Sequence, residues 1–187
     1  MTQSEKQVLV PLADGFEEME GIIIIDVLRR AGVKVVSAGL NPGKIIASRG
    51  TIHLADMTME EAEGLEFDMV VLPGGLAGAE NLEKNAVVRR VLNRMRDADR
   101  HIAAICAAPN VLRNMKIIDM ETPFTVHPAT LGKGEGGLYK EERIVHAGKV
   151  VTSVGPGSAF EFALALVEIL CGPEKRESVA GPMYLPA

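Results

Sequence analysis

The sequence predicts an α/β protein with a mostly parallel central sheet and helices on both of its faces. Short apolar runs of strand length alternate along the chain with longer segments whose apolar residues recur at helical spacing. The strand-like runs are apolar at nearly every position, which is typical of strands covered by helices on both sides. No linker, composition shift or internal repeat divides the chain, so residues 1–187 are predicted to form one domain.

The first half of the chain contains three predicted strands, a hairpin and two predicted helices. Arg29 and Arg30 followed by Gly32 are typical of a helix end, and Arg49-Gly50 is typical of a turn between two short strands. The predicted elements are a strand at 8–13, a helix at 17–31, a strand at 34–39, a hairpin of 45–48 with 51–54, a helix at 58–63 and a strand at 69–72.

The second half continues the alternation. Pro109 fits the first turn of a helix that follows a buried strand. The predicted elements are a helix at 86–99, a strand at 102–105, a helix from Pro109, strands at 124–126, 143–145 and 150–154, and a helix at 159–170. The glycine-rich run 132–137 is predicted to be a mobile surface loop, and the proline-containing tail 172–187 an extended surface segment.

The composition excludes several classes of protein. Hydrophobic residues make up 47% and charged residues 24% of the chain, as in soluble globular proteins and unlike disordered or coiled-coil chains. A net charge of -5 argues against a dedicated nucleic-acid surface, because phosphate binding needs clustered cations. No apolar run approaches the roughly 20 residues of a membrane span, and the polar residues 1–6 do not resemble a signal peptide. A cytoplasmic location is therefore expected.

The two cysteines differ in their sequence surroundings. They are too few for a disulfide scaffold and lack the spacing of a metal site, so no metal is expected. Cys106 lies where a buried strand ends, between small residues that allow the sharp strand-to-helix turn of a nucleophile elbow. The amides at the start of the next helix favour a thiolate, which predicts a low pKa for Cys106. Cys171 ends an apolar helix and is predicted to be a packing residue.

Glu20 interrupts an apolar helix face. It lies at helical spacing from Phe16, Ile23, Ile24 and Val27, so its carboxyl is predicted to face the core, where loss of hydration raises the pKa. A protonated Glu20 could donate a hydrogen bond to a thiolate. Because this position is buried, a leucine here is expected to stabilise the fold. The alternative is a carboxylate that turns outward to solvent.

Two further strand ends have residues suited to catalysis. His127 follows a predicted strand, and histidine is the usual general base near neutral pH, although a lone histidine at a strand end is often only an edge residue. Gly74 and Gly75 follow another strand, where adjacent glycines expose amides as an oxyanion hole requires. The stretch 74–78 lacks the lysine and spacing of nucleotide-binding loops.

Together these stretches resemble the ThiJ/PfpI superfamily and, within it, the branch of the Parkinson-disease protein deglycase. The matching segments occur in the family's order and extend over nearly the whole chain. They are residues 15–20, 71–75, 103–109, 125–128 and 155–163.

The resemblance implies a flavodoxin-like three-layer sandwich, a homodimer and a nucleophilic Cys106, with Glu20 hydrogen-bonded to its sulfur and His127 nearby. It further implies an oxyanion or substrate-binding role for four residues, which are Gly74, Gly75, Ala107 and Arg49, the last reaching the site across the dimer interface. A homodimer through the first helix and the hairpin is also expected because residues 22–25 are apolar around more than one helix face.

Neighbouring branches differ at single residues. The PfpI-type proteases place a histidine directly after the elbow cysteine, where this chain has Ala107, and class I glutamine amidotransferases use a His-x-Glu pair, where His127 is followed by Pro128. Val154 stands where the human-type family member has an arginine, so contacts to anions or partners at the pocket rim are expected to differ.

The resemblance implies a cofactor-independent cysteine enzyme. It would convert methylglyoxal or glyoxal to hydroxy acids, or remove early glycation adducts from amines and thiols. The alternative is a redox-sensing, chaperone-like stress protein in which the same cysteine is oxidised to a sulfinate. A third alternative, a nucleotide-binding module, predicts stabilisation by flavin or nucleotide.

Overall fold

The computed structural model describes residues 6–185, in which a seven-stranded sheet lies between two layers of helices. The strands are β1 (Gln7–Leu12), β2 (Lys34–Gly39), β3 (Lys44–Ile46), β4 (Ile52–Leu54), β5 (Met57–Thr58), β6 (Met69–Leu72), β7 (His101–Ile105), β8 (Pro123–Phe124), β9 (Leu138–Tyr139), β10 (Ile144–Ala147) and β11 (Val150–Ser153). The helices are α1 (Glu18–Arg30), α2 (Met59–Ala62), α3 (Leu76–Lys84), α4 (Ala86–Asp97), α5 (Pro109–Asn114), α6 (Ala159–Cys171) and α7 (Pro173–Ala180), with 3-10 turns at Pro128–Lys133, Pro156–Ser158 and Gly181–Met183.

The central sheet has the order β10-β11-β7-β6-β1-β2-β5, and every pair in it is parallel except β10 with β11. Alternate residues of a strand point to opposite faces, so β1 contributes Val8 and Val10 to one core and Leu9 to the other. The helices α1, α6 and α7 cover the first face and α2 to α5 the second. This arrangement confirms the predicted flavodoxin-like α/β sandwich.

The order of the strands determines where the site lies. The neighbouring strands β1, β6 and β7 run in the same direction, so the loops after them meet at one edge of the sheet. Those loops lead to Glu20, to Gly74 and Gly75, and to Cys106. Three of the predicted site segments are therefore brought together by strand pairing alone.

Two helices were not predicted. The first, α3, is preceded by Gly75, which has no side chain to cap it, so the usual start signal is missing. Gly78 lies inside the helix and weakens the helical pattern further. The second, α7, occupies a tail that the sequence predicts to be extended. Its residues are mostly polar, but Val179 is buried against the core formed with α1 and α6.

Two predictions for the region after α5 were also wrong in part. The strand expected at 124–126 is only Pro123–Phe124, and it pairs with β9 outside the main sheet. The glycine-rich run 132–137 does not project freely: it continues from a 3-10 turn, and Arg113 Nε donates a hydrogen bond to Gly136 O at 2.7 Å. The predicted hairpin is confirmed as the antiparallel pair β3–β4.

Within residues 6–185, every helix is too short or too polar to cross a lipid bilayer.

Candidate functional site

Cys106 occupies a sharp turn between β7 and α5. Its φ of 63° lies in the left-handed region, which a residue with a side chain adopts only when its surroundings hold it there. Two backbone hydrogen bonds do so: Cys106 N donates to Ser153 O, and Cys106 O accepts from His127 N, each at 2.9 Å. The thiol is partly exposed, as the predicted elbow requires.

The loop after β6 approaches this turn closely, and its glycines are needed for that approach. A Cβ on Gly74 would lie 2.6 Å from the Cβ of Cys106 and 2.7 Å from Glu20 Oε2. Gly75 has a φ of 82°, and a Cβ there would collide with the carbonyl oxygen of Gly15. A side chain at either position would therefore displace the elbow or the start of α1.

Glu20 lies on the buried face of α1, as predicted, and its exposure is 0%. Oε2 accepts a hydrogen bond from Gly74 N at 2.8 Å, and the Glu20 amide donates to Glu17 Oε2 at 2.9 Å. Oε1 is buried and lacks a hydrogen-bond partner of normal geometry among the described residues. The carboxyl is nevertheless close enough to the Cys106 thiol for the two groups to alter each other's pKa.

The carboxyl and the thiol form one coupled pair. Burial raises the pKa of Glu20 to about 7, although the Gly74 amide and the Cys106 thiol oppose this. Burial, followed by the negative charge of Glu20, raises the pKa of Cys106 to about 12. The pair therefore holds at least one proton at neutral pH. The low pKa predicted for Cys106 from the sequence is therefore wrong: burial of the thiol, and then the charge of Glu20, outweigh the amides that favour the thiolate.

The amides around the sulfur differ from the predicted set in one respect. Hydrogen bonds from the amides of Gly75 and Ala107 favour the Cys106 thiolate, whereas the amide of Gly74 is occupied by Glu20. Two N–H groups, Gly75 and Ala107, are therefore available near the sulfur for a developing oxyanion. Gly74 instead holds Glu20 in place.

His127 follows β8 and begins the 3-10 turn Pro128–Lys133. Its Nδ1 accepts a hydrogen bond from Ala129 N at 3.3 Å. In the neutral ring the proton is therefore on Nε2. The backbone hydrogen bond from His127 to Cys106 O places the residue beside the elbow.

The β3–β4 hairpin forms another part of the site, and the residue that attaches it is one the sequence analysis missed. Glu18 accepts hydrogen bonds from the hydroxyls of Ser48 and Thr51 and from the amide of Arg49. Although burial opposes them, a hydrogen bond from its own backbone amide and these hairpin hydrogen bonds lower the pKa of Glu18 to about 2. From sequence Glu18 is an ordinary acidic residue of a first helical turn, and no local pattern distinguishes it.

An open groove of about 1080 Å³ connects these parts. Cys106, Gly75, Ala107, His127 and Arg49 all line it, and the side chain of Arg49 is exposed. Val154 is half-buried and lies outside the set that lines the groove. Among residues 6–185 there is no group of three or more histidine, cysteine or acidic side chains placed to bind a metal ion.

Comparison with known proteins identifies the family of this chain. The model of the DJ-1/PfpI family matches residues 6–169. The chain is 43% identical to the Parkinson disease protein 7 homolog of Danio rerio, over 96% of this chain and 97% of that protein. It is 35% identical to the glutathione-independent glyoxalase DJR-1.2 of Caenorhabditis elegans, over 98% and 97%. The solved structure of oxidized Toxoplasma gondii DJ-1 superposes with a TM-score of 0.92 at 35% identity, covering 97% of this chain and 100% of that one. The chain that folds around this cysteine belongs to the DJ-1/PfpI family.

Proposed function

We propose that this protein is a cofactor-independent cysteine enzyme that converts methylglyoxal and glyoxal to hydroxy acids, or removes the early adducts of these aldehydes from amines and thiols. The observation that supports this most is the pairing of a partly exposed Cys106 thiol, which lines an open groove, with the fully buried carboxyl of Glu20 behind it. The relative DJR-1.2, named a glutathione-independent glyoxalase, favours the same class of substrate.

In the proposed reaction the Cys106 thiolate attacks the aldehyde carbon of methylglyoxal, and the resulting oxyanion takes up a proton to give a hemithioacetal. The amides of Gly75 and Ala107 donate to that oxygen. Removal of the hydrogen from the former aldehyde carbon and protonation of the neighbouring carbon give a lactate thioester, which water hydrolyses to lactate and free thiol. One carbon is oxidised and the other reduced, so no external oxidant is needed. We assign the proton transfers to Glu20 and His127.

We propose that the reactive form has the shared proton on Glu20 rather than on the sulfur. Two of the interactions that raise the pKa of Cys106, the charge of Glu20 and its acceptance of the thiol proton, disappear when Glu20 is protonated. The amides of Gly75 and Ala107 then favour the thiolate against burial alone. Glu20 is also the more deeply buried of the two groups, so an ion there is the more costly.

The test is lactate formation from methylglyoxal in the absence of glutathione, with a Cys171→Ser protein that leaves Cys106 as the single cysteine. Wild type and Cys171→Ser should form lactate at similar rates. Carbamidomethylation of Cys106 with iodoacetamide should abolish lactate formation, because the nucleophile is then blocked. Lactate formation that persists after complete alkylation, confirmed by mass spectrometry, would contradict the proposal.

A second candidate is redox sensing by the same residue. The partly exposed Cys106 is next to two amides and to a carboxyl that could donate to sulfinate oxygens, and the Toxoplasma gondii relative was solved in an oxidized form. Peroxide below the amount that oxidises Cys171 should then add two oxygen atoms to Cys106. If Cys171 is oxidised first, this candidate is wrong.

We also propose a homodimer in which α1 and the hairpin of β3 and β4 meet their copies. Glu18 ties the hairpin to α1, and exposed apolar side chains lie on both. These side chains are Met19, Ile22, Ile46, Ile52 and Leu54. Exposed apolar side chains grouped on two adjacent elements are typical of an interface. Because Arg49 is in the hairpin and lines the groove, dimerisation would border the site.

Sedimentation tests this interface. The wild type is expected to be a dimer at micromolar concentration, and Leu54→Asp, at a position that is 74% exposed, is expected to be a monomer because the charge would lose hydration on association. Met120→Asp, at a comparably exposed apolar position outside this surface, is the matched control and should remain dimeric. A monomeric wild type, or equal effects of the two substitutions, would contradict the proposed interface.

A further inference from the structure

Arg113 is a buried cation that the proposed reaction does not use. It is 7% exposed, and none of the carboxylates in residues 6–185 comes within salt-bridge distance of it. Its hydrogen bonds go to neutral acceptors, including Leu131 O at 2.8 Å, and its guanidinium carbon lies 4.5 Å from the centre of the Phe124 ring. Burying a cation without a counter-ion is costly, so an arginine here needs a specific explanation.

Asn110 connects this cation to the segment that follows His127. Asn110 is 5% exposed, and its Oδ1 accepts a hydrogen bond from Arg113 Nη1 at 2.7 Å. Since arginine can only donate, the orientation of the Asn110 amide is fixed, and Nδ2 must face the other way. There it donates to Thr130 O at 2.8 Å.

Thr130 carries the connection to His127. Its amide and its hydroxyl both donate to His127 O, at 2.8 Å and 2.9 Å. These two hydrogen bonds close the turn that contains Ala129. Within that turn Ala129 N donates to His127 Nδ1, which leaves the proton of the neutral ring on Nε2. An unbroken chain of hydrogen bonds thus runs from Arg113 through Asn110 and Thr130 to His127.

We propose that Asn110 and Arg113 are positioning residues that hold the turn of His127, and with it the direction of Nε2, relative to Cys106. The inference rests on the proposed role of His127 in proton transfer. Asn110 lies on the helix that begins at the elbow, so one short helix fixes both the nucleophile and, through Thr130, the histidine. The buried charge of Arg113 sets the orientation of the Asn110 amide, which a neutral side chain could leave reversed.

The decisive substitution is Asn110→Asp. The carboxylate keeps the shape of the side chain and gives Arg113 a counter-ion, which offsets the loss of the hydrogen bond to Thr130 O. A thermal melt checks that the fold is retained. The substitution removes the donor to Thr130 O and offers the Thr130 hydroxyl a new acceptor in place of His127 O. We expect kcat for methylglyoxal to fall about tenfold with KM within about twofold, because displacement of a proton-transfer group affects the chemical step rather than binding.

Asn114→Ala is the matched control. Asn114 is on the same helix and holds the same following segment through hydrogen bonds with Lys133 and Glu135, but it makes none with Thr130. Its replacement should leave kcat within about twofold of the wild type. Thr130→Val, which removes the hydroxyl, should lower kcat as Asn110→Asp does. Thr130→Ser, which keeps the hydroxyl, should retain the wild-type kcat.

A second readout separates this inference from the proposed function. The ¹⁵N chemical shifts of the His127 ring report which nitrogen carries the proton, with or without turnover. The wild type should show mainly the Nε2–H form, and Asn110→Asp should show a larger share of the Nδ1–H form. If Asn110→Asp and Asn114→Ala give equal shifts and equal kcat, the inference is wrong. A wild type that forms no lactate would contradict the proposed function, and the ¹⁵N measurement would still decide on the positioning role.

Discussion

Replacing Cys106 with serine is expected to lower kcat/KM for methylglyoxal by at least about 10³-fold, because a hydroxyl in this setting is a far weaker nucleophile than a thiolate. Serine is similar in size, and its amide can still donate to Ser153 O while its carbonyl accepts from His127 N. The left-handed turn should therefore be retained. Assays of lactate formation measure the loss of activity, and thermal melts of the same samples show whether the fold is retained.

Two controls show whether this loss is chemical. Cys171→Ser should remain within about twofold of the wild type, because Cys171 lies at the end of α6, away from the groove residues. Glu20→Leu in the Cys106→Ser background should cause little further loss, because groups that act on one nucleophile do not contribute additively. A serine variant that retains a tenth of the wild-type activity would remove Cys106 from the proposed mechanism.

Glu20 is expected to determine how the alkylation rate of Cys106 depends on pH. In the wild type one proton is shared by Glu20 and Cys106, so the thiolate fraction should stop rising above about pH 7, where the pair has lost its first proton. Glu20→Gln and Glu20→Leu leave a single titrating group, so their alkylation rates should rise continuously with pH. Rates of iodoacetamide modification from pH 5 to 9 distinguish these curves.

The order of those rates tests where the shared proton lies. With the proton on Glu20, the rate at pH 7 should fall from wild type to Glu20→Gln to Glu20→Leu, since glutamine is a weaker donor to the sulfur and leucine is none. A glutamine variant that is alkylated faster than the wild type would place the proton on the sulfur. It would also show that the charge of Glu20 suppresses the thiolate.

The stability of the Glu20→Leu protein should depend on pH in a defined direction. Burial raises the pKa of Glu20 in the folded protein from 4.5 to about 7, so its protonation stabilises the fold fully below about pH 4.5. That contribution is lost as the Glu20–Cys106 pair gives up its first proton near pH 7, whichever of the two groups keeps the second proton, and it amounts to on the order of 3 kcal/mol. Leucine does not titrate. The stability of Glu20→Leu relative to the wild type should therefore improve from pH 5 to pH 8.

The Gly74 amide limits that gain. Leucine cannot accept its hydrogen bond, and leaving this buried N–H unpaired costs roughly 1–3 kcal/mol. We therefore expect Glu20→Leu to be less stable than the wild type at pH 5 and close to it at pH 8, which corrects the stabilisation expected from sequence. Chemical denaturation at the two pH values measures the change. A difference that does not vary with pH would mean that Glu20 keeps an ordinary pKa in the fold.

The central part of the fold and the sharp turn at Cys106 could be predicted because they depend on local patterns. Apolar runs such as Met69–Leu72 identify buried strands wherever they occur, and the strand-to-helix turn at Cys106 is visible in its small neighbours and in Pro109. Glu20 was identifiable because a carboxylate on an apolar helix face contradicts the helical pattern.

The helices that were missed lack such patterns. Gly75 gives α3 no side-chain cap, and α7 has few apolar residues to show a period, so both depend on packing against the rest of the molecule. The strand predicted at 124–126 also depended on packing. Its apolar residues are buried, but only Pro123–Phe124 pairs with another strand.

The sequence by itself determined the sheet with its two helical layers and the elbow, and it identified Cys106, Glu20 and His127 as candidate site residues. Only the tertiary structure decided how these residues are held: which amides remain free beside the sulfur, which acid binds the hairpin, and which side chains fix the histidine. The hydrogen-bonded residues are far apart in the chain. The separation is 54 positions for Glu20 and Gly74, 30 positions for Glu18 and Ser48, and 20 positions for Asn110 and Thr130. Hydrogen bonds over such separations depend on how strands and helices pack, and no periodicity or spacing within one segment specifies them.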